Sequence, residues 1–168
     1  SRYKNYLLLG EAGSGKSEIA LNLAVHLTKH QPLPVHFFDL DMTKPLFRSR
    51  DLAKEMEALG ITFHFEKQFM DAPMLGRENT AVYYVVNAYR PWSLDIEHID
   101  GTISKILRVT HLQLPRLRFV ANPNNGVHTT RQEFEEGLLK TRKMLEPYCQ
   151  LEFATIRRAL HTGERETN

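Results

Sequence analysis

Eight consecutive residues carry the most specific chemistry in this chain. Gly10-Glu11-Ala12-Gly13-Ser14-Gly15-Lys16-Ser17 matches the pattern G-x-x-x-x-G-K-[ST] at every defined position. Glycines at these spacings let the backbone turn tightly, so that successive N–H groups converge on phosphate oxygens. A helix starting at the loop's end adds the positive end of its dipole. Lys16 supplies a compact positive charge for the β- and γ-phosphates, and the Ser17 hydroxyl is a ligand for Mg²⁺. The motif predicts a nucleoside-triphosphate site whose binding residues are Gly10, Glu11, Ala12, Gly13, Ser14, Gly15, Lys16, Ser17 and Glu18.

Two carboxylates follow at a second strand end, in Asp39-Leu40-Asp41. Alternate residues of an extended chain share a face, so both acids point roughly the same way. One is placed to act near a metal, the other on water or a second substrate. A third polar strand end is Ala121-Asn122-Pro123-Asn124-Asn125-Gly126. An Asn amide both donates and accepts, and so can pair with the N6/N7 edge of adenine. The companions of a guanine-reading N-K-x-D loop are missing, which favours ATP over GTP. An ordinary Asn-Pro turn explains the same residues equally well.

Other candidates read more plainly. Asn87-Ala88-Tyr89-Arg90-Pro91-Trp92 could touch nucleotide or partner, but such loops more often pack their aromatics on neighbours. His26 and His30 share a helix face with no third ligand evident, and read as surface residues. Cys149, the single cysteine, excludes a disulfide within the chain and reads as buried filler.

The elements that must position these groups alternate. Tyr6–Leu9 is a short apolar strand of the kind covered on both faces in a parallel sheet. From Ser17, Ile19, Ala20, Leu23, Ala24 and Leu27 recur at helical spacing, up to Pro32 and Pro34. Val35–Phe38 forms a second strand, Leu52–Leu59 a short helix closed by Gly60, and Ile61–Phe65 a third strand. Ala81–Val86 is a fourth strand, Ile96–Leu107 a helix, and Leu117–Ala121 a fifth strand. Thr130 and Glu133 form a capping-box pattern that opens a last helix. Leu151–Ile156 is a possible sixth strand, and the tail from Thr162 is expected to be disordered.

This order predicts an α/β fold, a mostly parallel sheet with helices on both faces and ligands at the carboxyl ends of the strands. The 168 residues suit one domain. One stretch does not fit: Lys67–Thr80 contains Pro73 and Gly76 and lacks the helical period that a parallel crossover needs. No separate strand ending in an acidic residue near the metal is visible either. Asp39 or Asp41 does that work, or a stretch near residues 77–80 is absent from the sequence.

Bulk composition narrows the partners. A net charge of +2 gives no clear nucleic-acid signal, and no apolar run reaches the length of a membrane span. The opening apolar run is too short for a signal-peptide core, so a cytoplasmic location is expected.

The loop, the Asp39-x-Asp41 strand end and the strand ending in Asn122 together resemble the MinD/ParA/CobQ-type P-loop nucleotide-binding domains. The larger class also holds nitrogenase iron protein and dethiobiotin synthetase. The resemblance spans roughly residues 6 to 146. It implies ATP and Mg²⁺ as cofactors, with Lys16 and Ser17 on phosphates and metal, Asp39 near the metal, Asp41 positioning the attacking water and Asn122 on the base. MinD and ParA carry a second lysine early in the loop where this chain has Glu11. That departure removes the residue with which the family's sandwich dimer reaches across to the partner's phosphates. The expected function is an ATPase acting as a nucleotide-controlled switch, with a protein partner or a second copy of the chain. The alternatives are a small-molecule kinase or ATP-dependent ligase, and a binding module without turnover.

Overall fold

A computed structural model describes residues 3–39, 50–64, 79–110 and 117–160. The chain begins with β1 (Asn5–Gly10), α1 (Lys16–His30), β2 (Val35–Phe38), α2 (Arg50–Ala58) and β3 (Ile61–His64). It continues with β4 (Thr80–Val86), α3 (Ile96–Thr110), β5 (Leu117–Ala121), α4 (Arg131–Leu145) and β6 (Leu151–Ala154). A short 3-10 turn over Arg158–Leu160 follows.

Among the described residues the strands form two parallel sheets rather than the single one expected. The larger has the order β1-β4-β5-β6, and the smaller pairs β2 with β3. Every pairing is parallel, with Gly10 level with Val85, Val86 level with Ala121, and Phe38 level with His64. The α/β class and the parallel arrangement agree with the sequence.

β4 is central to the larger sheet and explains itself by composition. Its run of Ala81, Val82, Tyr84, Val85 and Val86 is buried on both faces. Val82, Tyr84 and Val86 share one face and pack with Ile99 and Ile103 of α3, Leu117 and Phe119 of β5, and Leu145 of α4. Ile99 is 1% exposed, and full burial of such a side chain contributes about 1.5–3 kcal/mol. A second apolar cluster joins Ala24 of α1, Met56 of α2, and Ile61 and Phe63 of β3. Leu21, Val25, Val35 and Phe37 pack against it, so α1 serves both sheets.

The helix ends follow local chemistry. α4 opens with the predicted capping box: Glu133 N–H donates to Thr130 Oγ1 (3.2 Å) and Thr130 N–H donates to Glu133 Oε2 (2.7 Å). α2 is followed by Gly60 at φ +81, a left-handed stop that glycine adopts freely. α3 opens with Asp95, whose Oδ1 accepts from Glu97 N–H (3.0 Å) and His98 N–H (3.1 Å). No helix among the described residues is long and apolar enough to cross a membrane.

Candidate functional site

β1 delivers the glycine loop to the carboxyl edge of the larger sheet, and α1 begins at Lys16 directly behind it. Three of its glycines adopt backbone angles that side chains resist: Gly10 at φ +148, Gly13 at +76 and Gly15 at +88. Space forbids a Cβ as well. At Gly10 one would lie 2.6 Å from the Val85 carbonyl oxygen, and at Gly15 2.2 Å from Asn122 Nδ2. The Ser14 N–H closes the turn on Glu11 O at 3.1 Å.

Behind this turn, α1 has Gly15 as its N-cap and no side chain capping it. The first N–H groups of a helix lack intrahelical acceptors. In α1 they belong to the turn that also carries Lys16 and Ser17. That donor set, all N–H, ammonium and hydroxyl, fits a polyphosphate, and the Ser17 oxygen is a hard donor suited to Mg²⁺. Ser14 Oγ is fully buried with no hydrogen-bond partner.

The strand beside β1 is β4, and its carboxyl end leads into Asn87. The residue is a buried amide, 1% exposed, and its groups are spoken for. Nδ2 donates to Asn124 O (2.8 Å), while Oδ1 accepts from Tyr89 N–H (3.1 Å) and Asn124 N–H (3.3 Å). β4, the fourth strand read from the sequence, thus ends without a carboxylate. Thr80 is its first residue; Arg77, with residues 65–78, lies outside the described residues.

Asn122 ends β5 beneath the glycine loop. Its Nδ2 donates to Ser14 O and its Oδ1 accepts from Thr155 Oγ1, both at 2.8 Å. It is 7% exposed, so it props up the loop from below. Asp39 follows β2, half-buried, and its N–H donates to His64 O (3.3 Å), which extends the β2–β3 ladder by one residue. Asp41 lies outside the described residues.

Glu11 turns toward α3. Its Oε1 accepts from Thr102 Oγ1 (3.1 Å) and Tyr84 OH (3.3 Å) and lies 3.1 Å from His98 Nε2. Burial, and then the neighbouring Glu11 carboxylate, push the Tyr84 phenol above its ordinary value, so it remains a donor. The position that carries a lysine in MinD and ParA thus ties the loop to α3. Spacing within the motif could not reveal this, because the partners lie 73 to 91 residues away.

The loop after β4 supplies one more contact that sequence reasoning left open: Arg90 Nε–H donates to Gly13 O at 3.0 Å. His26 and His30 are exposed on α1, and Cys149 is half-buried rather than buried. The His26 and His30 rings stack at 4.1 Å, with His30 Nδ1 2.8 Å from His26 O. Burial raises the Cys149 thiol above its ordinary value, which disfavours the thiolate.

Comparison with known proteins agrees with this geometry. No curated protein matches the chain. The family model described as the CobQ/CobB/MinD/ParA nucleotide binding domain matches residues 8–147, from within β1 to just past α4. With a phosphate loop between β1 and α1 and a parallel sheet behind it, this chain belongs to the CobQ/CobB/MinD/ParA nucleotide-binding domain family.

Proposed function

We propose that the chain binds ATP with Mg²⁺ and acts as a nucleotide-controlled switch with slow intrinsic hydrolysis. The observation that carries this reading is the loop itself, with left-handed glycines ahead of an uncapped helix that starts at Lys16-Ser17. Mg²⁺, when bound, neutralises phosphate charge. In this reading Lys16 holds the outer phosphates, and Ser17 and Asp39 hold the metal. Asp41 orients the attacking water. The family resemblance puts Asn122 on the base, whereas its burial and its bonds to Ser14 O and Thr155 Oγ1 favour a supporting role beneath the loop, so the preference for ATP rests on the missing companions of a guanine-reading loop.

A second reading, a binding module without turnover, is favoured by Asn87. The strand beside the loop ends in a neutral amide already bonded to Asn124 and Tyr89, which leaves metal binding to Ser17 and Asp39.

The test is calorimetry with Mg·ATP on wild type and Lys16→Ala, followed by phosphate release. Lys16→Ala is expected to lose about a hundredfold in affinity, the equivalent of a charge-assisted contact of about 3 kcal/mol. Equal binding by both proteins overturns the reading. Asp41→Asn is expected to keep affinity and lose about a hundredfold in turnover. Asp39→Asn is expected to weaken the Mg²⁺ dependence of binding. In direct competition ATP is expected to displace GTP. Binding without measurable phosphate release selects the second reading.

A further inference from the structure

We propose that Arg90 is a specificity-determining residue, supplied in cis, that recognises the terminal phosphate of the bound nucleotide. The proposal rests on the nucleotide-binding reading above and adds a residue to it.

Arg90 lies flat against the glycine loop. A Cβ built on Gly13 would stand 3.2 Å from Arg90 Nε, 3.4 Å from Cδ and 3.7 Å from Cζ. The Nε–H bond to Gly13 O (3.0 Å) fixes the guanidinium plane at the loop. Only one of the five guanidinium N–H groups is used in this way. The two terminal nitrogens make no hydrogen bond to any described residue, and none of the described carboxylates lies within ion-pair distance of them. The residue is exposed, so a planar fork with four remaining donors sits at the rim of a loop built for phosphate.

The backbone beneath Arg90 is held on both sides. Its N–H donates to Asn87 O (3.0 Å), and its carbonyl accepts from Ser93 N–H (3.2 Å). Asn87 is itself buried and hydrogen-bonded at both ends of its amide. Two turns further on, Asp95 N–H donates to Trp92 O (3.1 Å) and Asp95 caps α3. An arginine on such a base gives up little further freedom when a phosphate arrives.

Neither polar neighbour of the loop occupies the Arg90 fork. The acidic residue of the loop, Glu11, has its Oε1 engaged by Tyr84, His98 and Thr102. Beside the loop, Asn87 contributes no charge. Arginine recognises phosphate through paired N–H donors, and such charge-assisted contacts are the stronger kind. A role confined to pinning the loop predicts something different, because a loosened loop would hold every nucleotide less well.

The experiment is therefore a ratio. ATP and ADP affinities are measured with Mg²⁺ for wild type, Arg90→Ala and Arg90→Gln, with thermal melting of each. Arg90→Ala is expected to lose about tenfold in ATP affinity and less than about twofold in ADP affinity. Arg90→Gln keeps part of the stem without the charge. It is expected to show the same selective loss, and it carries the test if Arg90→Ala melts before binding can be measured. An unchanged ATP:ADP ratio in both variants overturns the proposal, as does an equal fall for both nucleotides. Lys16→Ala serves as the control, since it also loses a contact to the β-phosphate and should weaken ADP binding well beyond twofold. Wild type that binds neither nucleotide would defeat the nucleotide reading and the Arg90 assignment with it. Wild type that binds normally, with an unchanged ratio in the variants, would defeat the Arg90 assignment alone.

Discussion

The glycine loop and the loop after β4 lie side by side and are built in opposite ways. The first is made of backbone: left-handed glycines, a helix start, and few side chains that matter for its shape. The second is made of side chains. Asn87 knits it to Asn124, Tyr89 OH donates to Glu133 O, Asp95 caps the next helix, and Trp92 sits at φ +65, an uncommon angle for a bulky residue. A loop shaped by backbone keeps its donors for a ligand. A loop shaped by side chains uses them on itself, and Asn87 has been used in this way. The two loops are thus held in shape by different means, one by its backbone angles and the other by its side chains.

The largest blow to that comparison should come from Gly15→Ala. The new methyl group meets Asn122 Nδ2 at 2.2 Å and forces an alanine to φ +88. Left-handed strain alone costs about 1–3 kcal/mol, and displacing Asn122 from Ser14 O adds to it. A fall in stability of about 3 kcal/mol, with loss of ATP binding, is expected in chemical denaturation and calorimetry. Stability unchanged from wild type would mean that the backbone angles do not define the loop.

Asn87→Asp tests the other side. The carboxylate can still accept from Tyr89 and Asn124 N–H but cannot donate to Asn124 O. The unsatisfied buried carbonyl should cost about 1–3 kcal/mol. If a carboxylate at this strand end assists hydrolysis, phosphate release should rise in spite of the lost stability. A rate at or below that of wild type would place the limit elsewhere.

Gly101→Ala supplies the contrast in sign. Gly101 lies within α3, and a Cβ there meets nothing within 4 Å. Alanine should raise stability by about 0.5–1 kcal/mol and leave nucleotide affinity unaltered. A comparable gain at Gly15 would erase the distinction between the two glycines.

The smallest effect is a pH dependence at the start of α4. Hydrogen bonds from the Thr130 backbone, the Thr130 hydroxyl and Asn125 hold the Glu133 carboxyl below its ordinary value of 4.5. A depressed folded-state value stabilises the protein above the unfolded value, and that contribution fades as pH falls through the folded one. Melting temperature against pH should therefore show a slightly shallower acid limb in Glu133→Gln. An identical limb would mean that the cap does not report protonation.

What could be read from sequence follows the same division. The loop was legible because its physics is local: glycine, lysine and serine at fixed spacing require only their neighbours. β4, α3 and the capping box were legible from period and caps. The role of Asn87 was not, because its partner Asn124 lies 37 residues on. The separation of β2–β3 from the larger sheet was likewise hidden, since apolar strands carry no label for their neighbour. Glu11 could be read as a departure from MinD and ParA. Its tie to Thr102 and His98 could not, because it depends on how α3 packs against β4.

Gly137, midway along α4, has a mechanical consequence. A Cβ there would lie 2.6 Å from Pro123 Cβ and 3.0 Å from Tyr89 Cε2. Residues from the segments following β4 and β5 therefore share a single notch in one helix, and Thr141 Oγ1 donates to the carbonyl at its floor (2.9 Å). The notch works as a keyway. If α4 slid by one residue, Leu138 or Glu136 would enter a space that cannot hold a methyl group. The notch therefore fixes the register of α4 against the segments that follow β4 and β5.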